Sequence, residues 1–279
     1  CNAIIGHIKG SLSLVTILAS ALFGAISGSG VATASAIGGI TIPAMKREGY
    51  PAPFAVGVAS ISSILGPIIP PSIVLIVYAS ITNVSVAGLF LGSVLPGIIL
   101  AVALIAYGLY YGHKHNLPAH EKPNLRKIGS SVRKGIWALL MPVILLGGIL
   151  SGIFTPTEAS IVTCVYSLIV GVFVYKEIKL SDVPRIVYTN MRSCSSIIIL
   201  IGLANVFAFI LTNERIPQKV ATAILSMTTN RILVILLINL VLIFVGMFME
   251  SLAAILITFP VLLPVATAVG MNPVHFALM

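Results

Sequence analysis

Residues 60–73 read Ser-Ile-Ser-Ser-Ile-Leu-Gly-Pro-Ile-Ile-Pro-Pro-Ser-Ile, three prolines among serines in an otherwise apolar stretch. Each proline lacks an N–H and disrupts the bond to the carbonyl four residues earlier, so Ser63, Gly66 and Pro67 lose their helical donors. In lipid, an unpaired backbone group costs several kcal/mol, so such a break survives only inside protein or beside a cavity. Freed carbonyls and serine hydroxyls are hard oxygen donors suited to Na⁺. A plain proline kink is the structural alternative; three prolines beside Ser62, Ser63 and Ser72 favour an ion site. Ser27-Gly28-Ser29-Gly30 offers complementary chemistry. Its glycines permit positive φ and a tight reversal, and Ser27, Ser29 and Thr33 supply oxygens. Carbonyls ending the arm before this tip can hold a cation, and amides opening the arm after it can meet a carboxylate. Small-residue helix packing is the bland reading of the same residues.

Two acids need separate readings. Glu250 is the only carboxylate expected deep in an apolar region, where an acid is a functional hypothesis by default. It can ligate an ion, cap the following helix or carry a proton; capping with an indirect role at an ion site suits its place before an apolar run. Glu158, in Phe154-Thr155-Pro156-Thr157-Glu158, reads as a structural helix start. No enzyme is expected. Gly28-Ser29-Gly30 superficially resembles a serine nucleophile, but the apolar segments before residue 270 hold no histidine base. His7, His113, His115 and His120 lie in or beside polar stretches, and His275 near the end of the chain. Cys1, Cys164 and Cys194 have no metal or redox spacing.

The elements that must position these groups follow from hydropathy. Apolar residues make up 58% of the chain and charged residues 8%, against about 25% charged in soluble domains, so most of the surface cannot face water. Apolar runs cover approximately 11–27, 31–45, 54–79, 89–111, 136–151, 159–175, 193–212, 231–249 and 251–269. They are continuous where barrel strands would alternate, so the fold expected is an all-α polytopic membrane protein. The net charge of +9 does not mark a nucleic-acid face, because the basic residues sit in short loops. Threading the segments alternately puts thirteen of the sixteen on one side: Lys9, Lys46, Arg47, and those of loops 112–135 and 176–192. Only Arg215, Lys219 and Arg231 fall opposite, so the first side is cytoplasmic. Stretches 124–136 and 180–192 mix basic and apolar residues and read either as interfacial helices or as solvated loops.

An internal repeat organises the segments. Ile40-Thr41-Ile42-Pro43, then Gly49 and Phe54-Ala55, parallels Val261-Leu262-Leu263-Pro264, then Gly270 and Phe276-Ala277. Upstream, each copy has two apolar arms meeting at a polar kink: Ser27-Gly28-Ser29-Gly30 in one, Met249-Glu250-Ser251 in the other. Five crossings separate the hairpins, so the second starts from the opposite face, which gives an inverted repeat of the alternating-access kind.

These motifs resemble the large (M, or DctM-type) membrane subunit of tripartite ATP-independent periplasmic (TRAP) transporters, in the ion transporter superfamily. The resemblance rests on Ser27 to Thr33, Ile42-Pro43-Ala44-Met45, Gly66-Pro67-Ile68-Ile69-Pro70-Pro71-Ser72, Phe154 to Ala159, Gly246 to Pro264, and Gly270 with Pro273-Val274-His275-Phe276. It implies re-entrant hairpins and broken helices forming an elevator-type transport domain. It also implies Na⁺ coupling, a periplasmic substrate-binding protein (P), a small membrane subunit (Q) and residence in the bacterial inner membrane. On that reading residues 8–88 form the first repeat, 89–212 the scaffold and arm helices, and 213–279 the second repeat with the start of a second broken helix. The family's Thr-Pro-Pro-type second break does not appear in this chain, which reads as a fragment with its second site only half present.

The expected function is Na⁺-coupled import of a small organic acid: a C4-dicarboxylate, a sialic acid or a sugar acid. One sodium site would use Ser27, Gly28, Ser29, Gly30, Ser63, Gly66 and Pro67; Met249, Glu250 and Ser251 would form part of a second. Thr33, Ser29, Ser72 and Ser251 would meet the substrate. An ion channel, or a Na⁺/H⁺-coupled carboxylate transporter without a binding protein, is the alternative; conduction does not require inverted hairpins.

Overall fold

A computed structural model describes residues 5, 6, 8–118, 125–228 and 230–279, and among them every regular element is helical. Cys1, His7, His120 and Lys122 lie outside the described residues. In chain order the helices are α1 (Ser11–Ser27), α2 (Gly30–Arg47), α3 (Ala52–Ser62), the single turn α4 (Leu65–Ile68), α5 (Ile73–Thr82), α6 (Val86–Lys114) and α7 (Leu125–Leu150). Then follow α8 (Pro156–Ile169), α9 (Val183–Asn213), α10 (Ile216–Met227), α11 (Arg231–Gly246), α12 (Ser251–Ala268) and α13 (Pro273–Leu278). Five runs among the described residues are long and apolar enough to cross a membrane: Ala52–Thr82, Val86–Lys114, Pro156–Val174, Leu180–Asn213 and Ser251–Ala268. Their outward faces are apolar, as Leu203 at 63% and Phe209 at 72% exposure show on α9. Such faces fit hydrocarbon and not water, so the chain is a multi-pass membrane protein.

Two sequence expectations need correcting. Stretches 124–136 and 180–192 are neither separate interfacial helices nor loops: α7 begins at Leu125, and α9 at Val183 after a short 3₁₀ turn. Both helices run unbroken into their apolar parts, because nothing in the mixed segments stops them. Residues 216–227, which contain no apolar run, form α10, whose Val220, Ala221 and Ile224 are half-buried while Lys219, Thr222 and Ser226 are exposed.

The chain divides into two compact units, residues 1–73 with 90–176, and residues 74–89 with 177–279. In the first, α1 stops at Gly28, whose φ of 63° is left-handed and whose N–H returns to the Gly24 carbonyl at 2.8 Å. Ser29 then caps α2, its hydroxyl accepting from Ala32 N–H at 3.3 Å. α2 ends in a Schellman motif, with Gly49 at φ 82°, its N–H on Lys46 O and Tyr50 N–H on Met45 O at 3.0 Å. Leu12, Ile17, Met45, Tyr50, Phe54 and Leu65 make the core, and the Phe54 ring stacks on Tyr111 at 3.7 Å. Lipid tails are as apolar as leucine, so this core gains little from hydrophobic transfer; close packing and polar ties hold it. One tie is the pair of fully buried hydroxyls Ser20 and Ser62, 3.0 Å apart between α1 and α3. Another is the capping box on α8, where Thr155 and Glu158 satisfy each other's backbone N–H.

In the second unit, Val77 of α5 packs against Leu252 and Leu256 of α12. Next to it, Tyr78 donates its hydroxyl to the Pro273 carbonyl at 2.9 Å and meets Phe259 edge-on. α12 ends as α2 does: Gly270 at φ 77° bonds Thr267 O, and Met271 N–H reaches Ala266 O at 3.0 Å. The proline-to-glycine repeat in the sequence therefore encodes one local backbone pattern twice. α6 uses it a third time on Asn116, at φ 48°.

Candidate functional site

Between Ser62 and Ile73 the helix breaks twice. α3 ends at Ser62, α4 makes one turn, and Ile69 turns extended at ψ 122°. Pro67 has no N–H for the Ser63 carbonyl, which instead accepts from Gly66 N–H at 3.0 Å. Pro70 and Pro71 likewise offer nothing to the carbonyls of Gly66 and Pro67. The hairpin tip between α1 and α2 seats on this break. A Cβ at Gly24 would lie 2.7 Å from the Gly66 Cα, and one at Gly66 would lie 2.9 Å from both Ser29 O and Thr33 Oγ1. Gly28 meets the break further on, with 2.9 Å between its hypothetical Cβ and Pro71 O, while its own carbonyl accepts from Ile73 N–H at 3.4 Å. Gly30 rests against Ser63 O and the Pro67 ring at ordinary contact.

Oxygen atoms converge at this junction. Thr33, fully buried, donates its hydroxyl to Ser29 O at 2.8 Å, and its Oγ1 lies 3.2 Å from Ser27 Oγ. Ser27 Oγ is also 3.4 Å from Ser29 O. Ser63 is buried and directs its hydroxyl to Ser60 O at 2.7 Å, and Ser72 is fully buried at the end of the break. Of the residues singled out in the sequence, Ser27, Gly28, Ser29, Gly30, Thr33, Ser63, Gly66 and Pro67 thus come together around one junction. The donor set is neutral oxygen only, which suits a hard monovalent cation better than a thiol- or imidazole-loving metal. Ser29 contributes its carbonyl, since its hydroxyl is used as the α2 cap.

The second tip, in the other unit, is built differently. Glu250 is the N-cap of α12, and its Oε2 accepts from Leu252 N–H at 3.0 Å and Ala253 N–H at 3.4 Å. One carboxylate therefore satisfies two of the amides that open the helix and sits at the positive end of its dipole. Met249 N–H bonds Val245 O as the preceding arm ends, and Ser251 opens α12.

Gly24 was not among the residues singled out, although it makes the closest approach of the tip to the break. Its signal was weak but present: Ser13, Thr16, Ser20, Gly24 and Ser27 recur every three or four residues on α1, the spacing of a close-packed helix face.

The whole chain, residues 1–279, matches the family described as the DctM component of the tripartite ATP-independent periplasmic transporters. It is 41% identical over 277 residues to the C4-dicarboxylate TRAP transporter large permease protein DctM of Pseudomonas aeruginosa, covering 99% of this chain and 65% of that one. It is 38% identical over 278 residues to the sialic acid TRAP transporter large permease protein SiaM of Vibrio cholerae, covering 100% of this chain and 65% of that one. To the isethionate TRAP transporter permease protein DctMQ of Oleidesulfovibrio alaskensis it is 39% identical over 278 residues, 99% of this chain and 44% of that one. The chain thus spans just under two thirds of the length of the first two relatives, and less than half of the third.

Proposed function

This chain belongs to the DctM component family of tripartite ATP-independent periplasmic transporters, and from that premise we propose that it serves Na⁺-coupled import of a small organic acid across the bacterial inner membrane. A periplasmic binding protein delivers the acid, and a small membrane subunit braces the permease. Relatives named for C4-dicarboxylate, sialic acid and isethionate transport share a negatively charged substrate class. The observation that carries the coupling is the seating of the Ser27–Gly30 tip on the Ser63–Ile73 break, where carbonyl and hydroxyl oxygens converge at a helix discontinuity. A sodium ion there is held by Ser29 O, Ser63 O and the Ser27 and Thr33 hydroxyls, with Gly28, Gly30, Gly66 and Pro67 giving the close backbone approach.

At the second tip, Glu250 acts through its cap: it fixes the first turn of α12 so that Met249 and Ser251 can contribute to a second cation site. Ser29, Thr33 and Ser72 supply polar contacts for the substrate in the first unit, and Ser251 offers a hydroxyl for it in the second. The two hairpins are inverted copies that move with the broken helix in an elevator cycle, a reading carried by the paired Pro43–Gly49 and Pro264–Gly270 spacings in the sequence.

Uptake in proteoliposomes, with the binding protein and small subunit present, tests the reading. Accumulation should collapse without a Na⁺ gradient; uptake that persists refutes the coupling. Thr33→Val keeps the shape and removes the hydroxyl, so it should raise the Na⁺ concentration for half-maximal uptake. An unchanged half-saturation removes Thr33 from the site.

A further inference from the structure

A cleft of about 160 Å³ in the first unit lies between α3 and α6, lined by Pro53, Phe54, Gly57, Ile61, Leu104 and Tyr107. Gly57 has no heavy atom within 4 Å of where its Cβ would stand, so it forms an open floor. Ile61 and Tyr107 are 48% and 53% exposed at the rim. Around the cleft α3 presents Val56 outward, the break after it Ile64, and α6 Ile98 and Val102, the surface of a hydrocarbon-facing wall. From Pro53 to Ile61 the cleft follows about 12 Å of helix.

One end of this cleft is cationic. Phe54 stacks on Tyr111, which places the start of α3 beside the last turn of α6. Lys114 lies seven residues beyond Tyr107, on the same face of α6 and about 10 Å further along it. Lys114 also sits over the Tyr110 ring at 5.6 Å. Lys46 and Arg47 are exposed in the last turn of α2, and Tyr50, four residues after Lys46, stacks on Phe54. Even with Glu48 counted, this end keeps a net positive charge. A phosphate at the bilayer surface with an acyl chain running inward has the same layout: charge at one end, about 12 Å of apolar track behind it.

We propose that this cleft is a binding site for an anionic phospholipid, its acyl chain lying over Gly57 and its phosphate held by Lys46, Arg47 and Lys114. The charge at the mouth selects an anionic headgroup over a zwitterionic one, and the lipid completes the packing between α3 and α6.

Native mass spectrometry of the purified protein, after exchange into phosphatidylglycerol or phosphatidylcholine, tests this. Phosphatidylglycerol should be retained and phosphatidylcholine lost at equal activation. Gly57→Leu should fill the floor and abolish retention. As a second arm that leaves the packing untouched, Lys46→Gln and Lys114→Gln should each weaken phosphatidylglycerol binding roughly fivefold. Equal retention of the two lipids, or full retention in Gly57→Leu with unchanged affinity in both lysine variants, overturns the proposal. So does a photoreactive residue at Ile61 that cross-links to a protein segment and not to lipid.

Discussion

Gly66→Ala is the sharpest perturbation of the junction between tip and break. The new Cβ would stand 2.9 Å from Ser29 O, 2.9 Å from Thr33 Oγ1 and 3.1 Å from Ser29 C. A carbon needs roughly 3.4 Å from such atoms, so the tip must retreat by about half an ångström. Two of the three neighbours are backbone, which cannot rotate away. Overpacking of this kind costs about 1–3 kcal/mol, and replacing a helical glycine by alanine returns about 0.5–1 kcal/mol. The expected net loss is therefore about 1 kcal/mol and at most about 2.5 kcal/mol. The displaced atoms are the oxygens assigned to the cation, so the strain should be read out there: near 1.4 kcal/mol is a tenfold change in binding. The assay is Na⁺-dependent uptake in proteoliposomes beside a denaturation midpoint in detergent. Gly39→Ala, with nothing within 4 Å of its Cβ, is the control. It should be neutral or stabilising by up to about 1 kcal/mol. A Gly66→Ala protein with wild-type stability and wild-type Na⁺ half-saturation refutes the packing of the tip on the break.

Gly28→Ala should be worse than Gly66→Ala, because a left-handed φ of 63° adds about 1–2 kcal/mol to the 2.9 Å encounter with Pro71 O; equal midpoints for the two variants would contradict this. Glu250→Ala should lower the denaturation midpoint by the equivalent of about 1 kcal/mol, and Glu250→Gln, which keeps an acceptor oxygen, by less. If both variants fall equally, charge and not capping is what the position needs. Tyr78→Phe leaves the Pro273 carbonyl without its donor and should cost about 0.5–1.5 kcal/mol, measurable as the same midpoint shift. Burial pushes the Tyr50 phenol up to about 12 from its ordinary 10, helped by the Glu48 charge and opposed by the Leu12 amide that donates to it. The folded state thus favours the protonated phenol: its stabilisation is whole below pH 10 and is lost as pH rises toward 12. In an ultraviolet titration the buried Tyr50 phenol should ionise well above pH 10, and loss of that step in Tyr50→Phe identifies it.

Much of the scaffold was legible because its signals are local. Clustered at 67, 70 and 71, three prolines break the helix, whereas the single prolines at 43, 96 and 142 sit inside continuous helices; Thr155 with Glu158 forms a capping box from spacing alone. The Pro43–Gly49 and Pro264–Gly270 spacings carried over into matching backbone hydrogen bonds. What could not be read was distance across the chain. The approach of Gly24 to Gly66, forty-two residues apart, depends on two helix faces meeting, and glycine looks the same in a contact as in a loop. α10 escaped because its half-buried Ile216, Val220, Ala221 and Ile224 are interleaved with exposed Gln218, Lys219, Thr222 and Ser226, which dilutes hydropathy averaged over its length. The basic starts of α7 and α9 misled for the opposite reason: charge was read as a boundary, while helix propensity ignored it.

The buried face of α1 bears on how the protein is made. Ser11, Ser13, Thr16 and Ser20 are all at 0% exposure, and α1 is shorter than a bilayer-crossing helix. Ser13 and Thr16 turn their hydroxyls onto the backbone carbonyls of Gly10 and Leu12, but Ser20 meets its partner only across the helix boundary, at Ser62. The partners of this face arrive later: Ser62 on α3, then Gly108 on α6, where a Cβ would touch Ser13 and Leu14. At about 5–20 residues per second of synthesis, the sixty-one residues from Arg47 to Gly108 take roughly 3–12 s. For that interval Ser13 and Leu14 of the first hairpin are made but the α6 backbone they pack against is not. The packing that buries this face is therefore completed late in synthesis, a step that any delay in producing α6 prolongs.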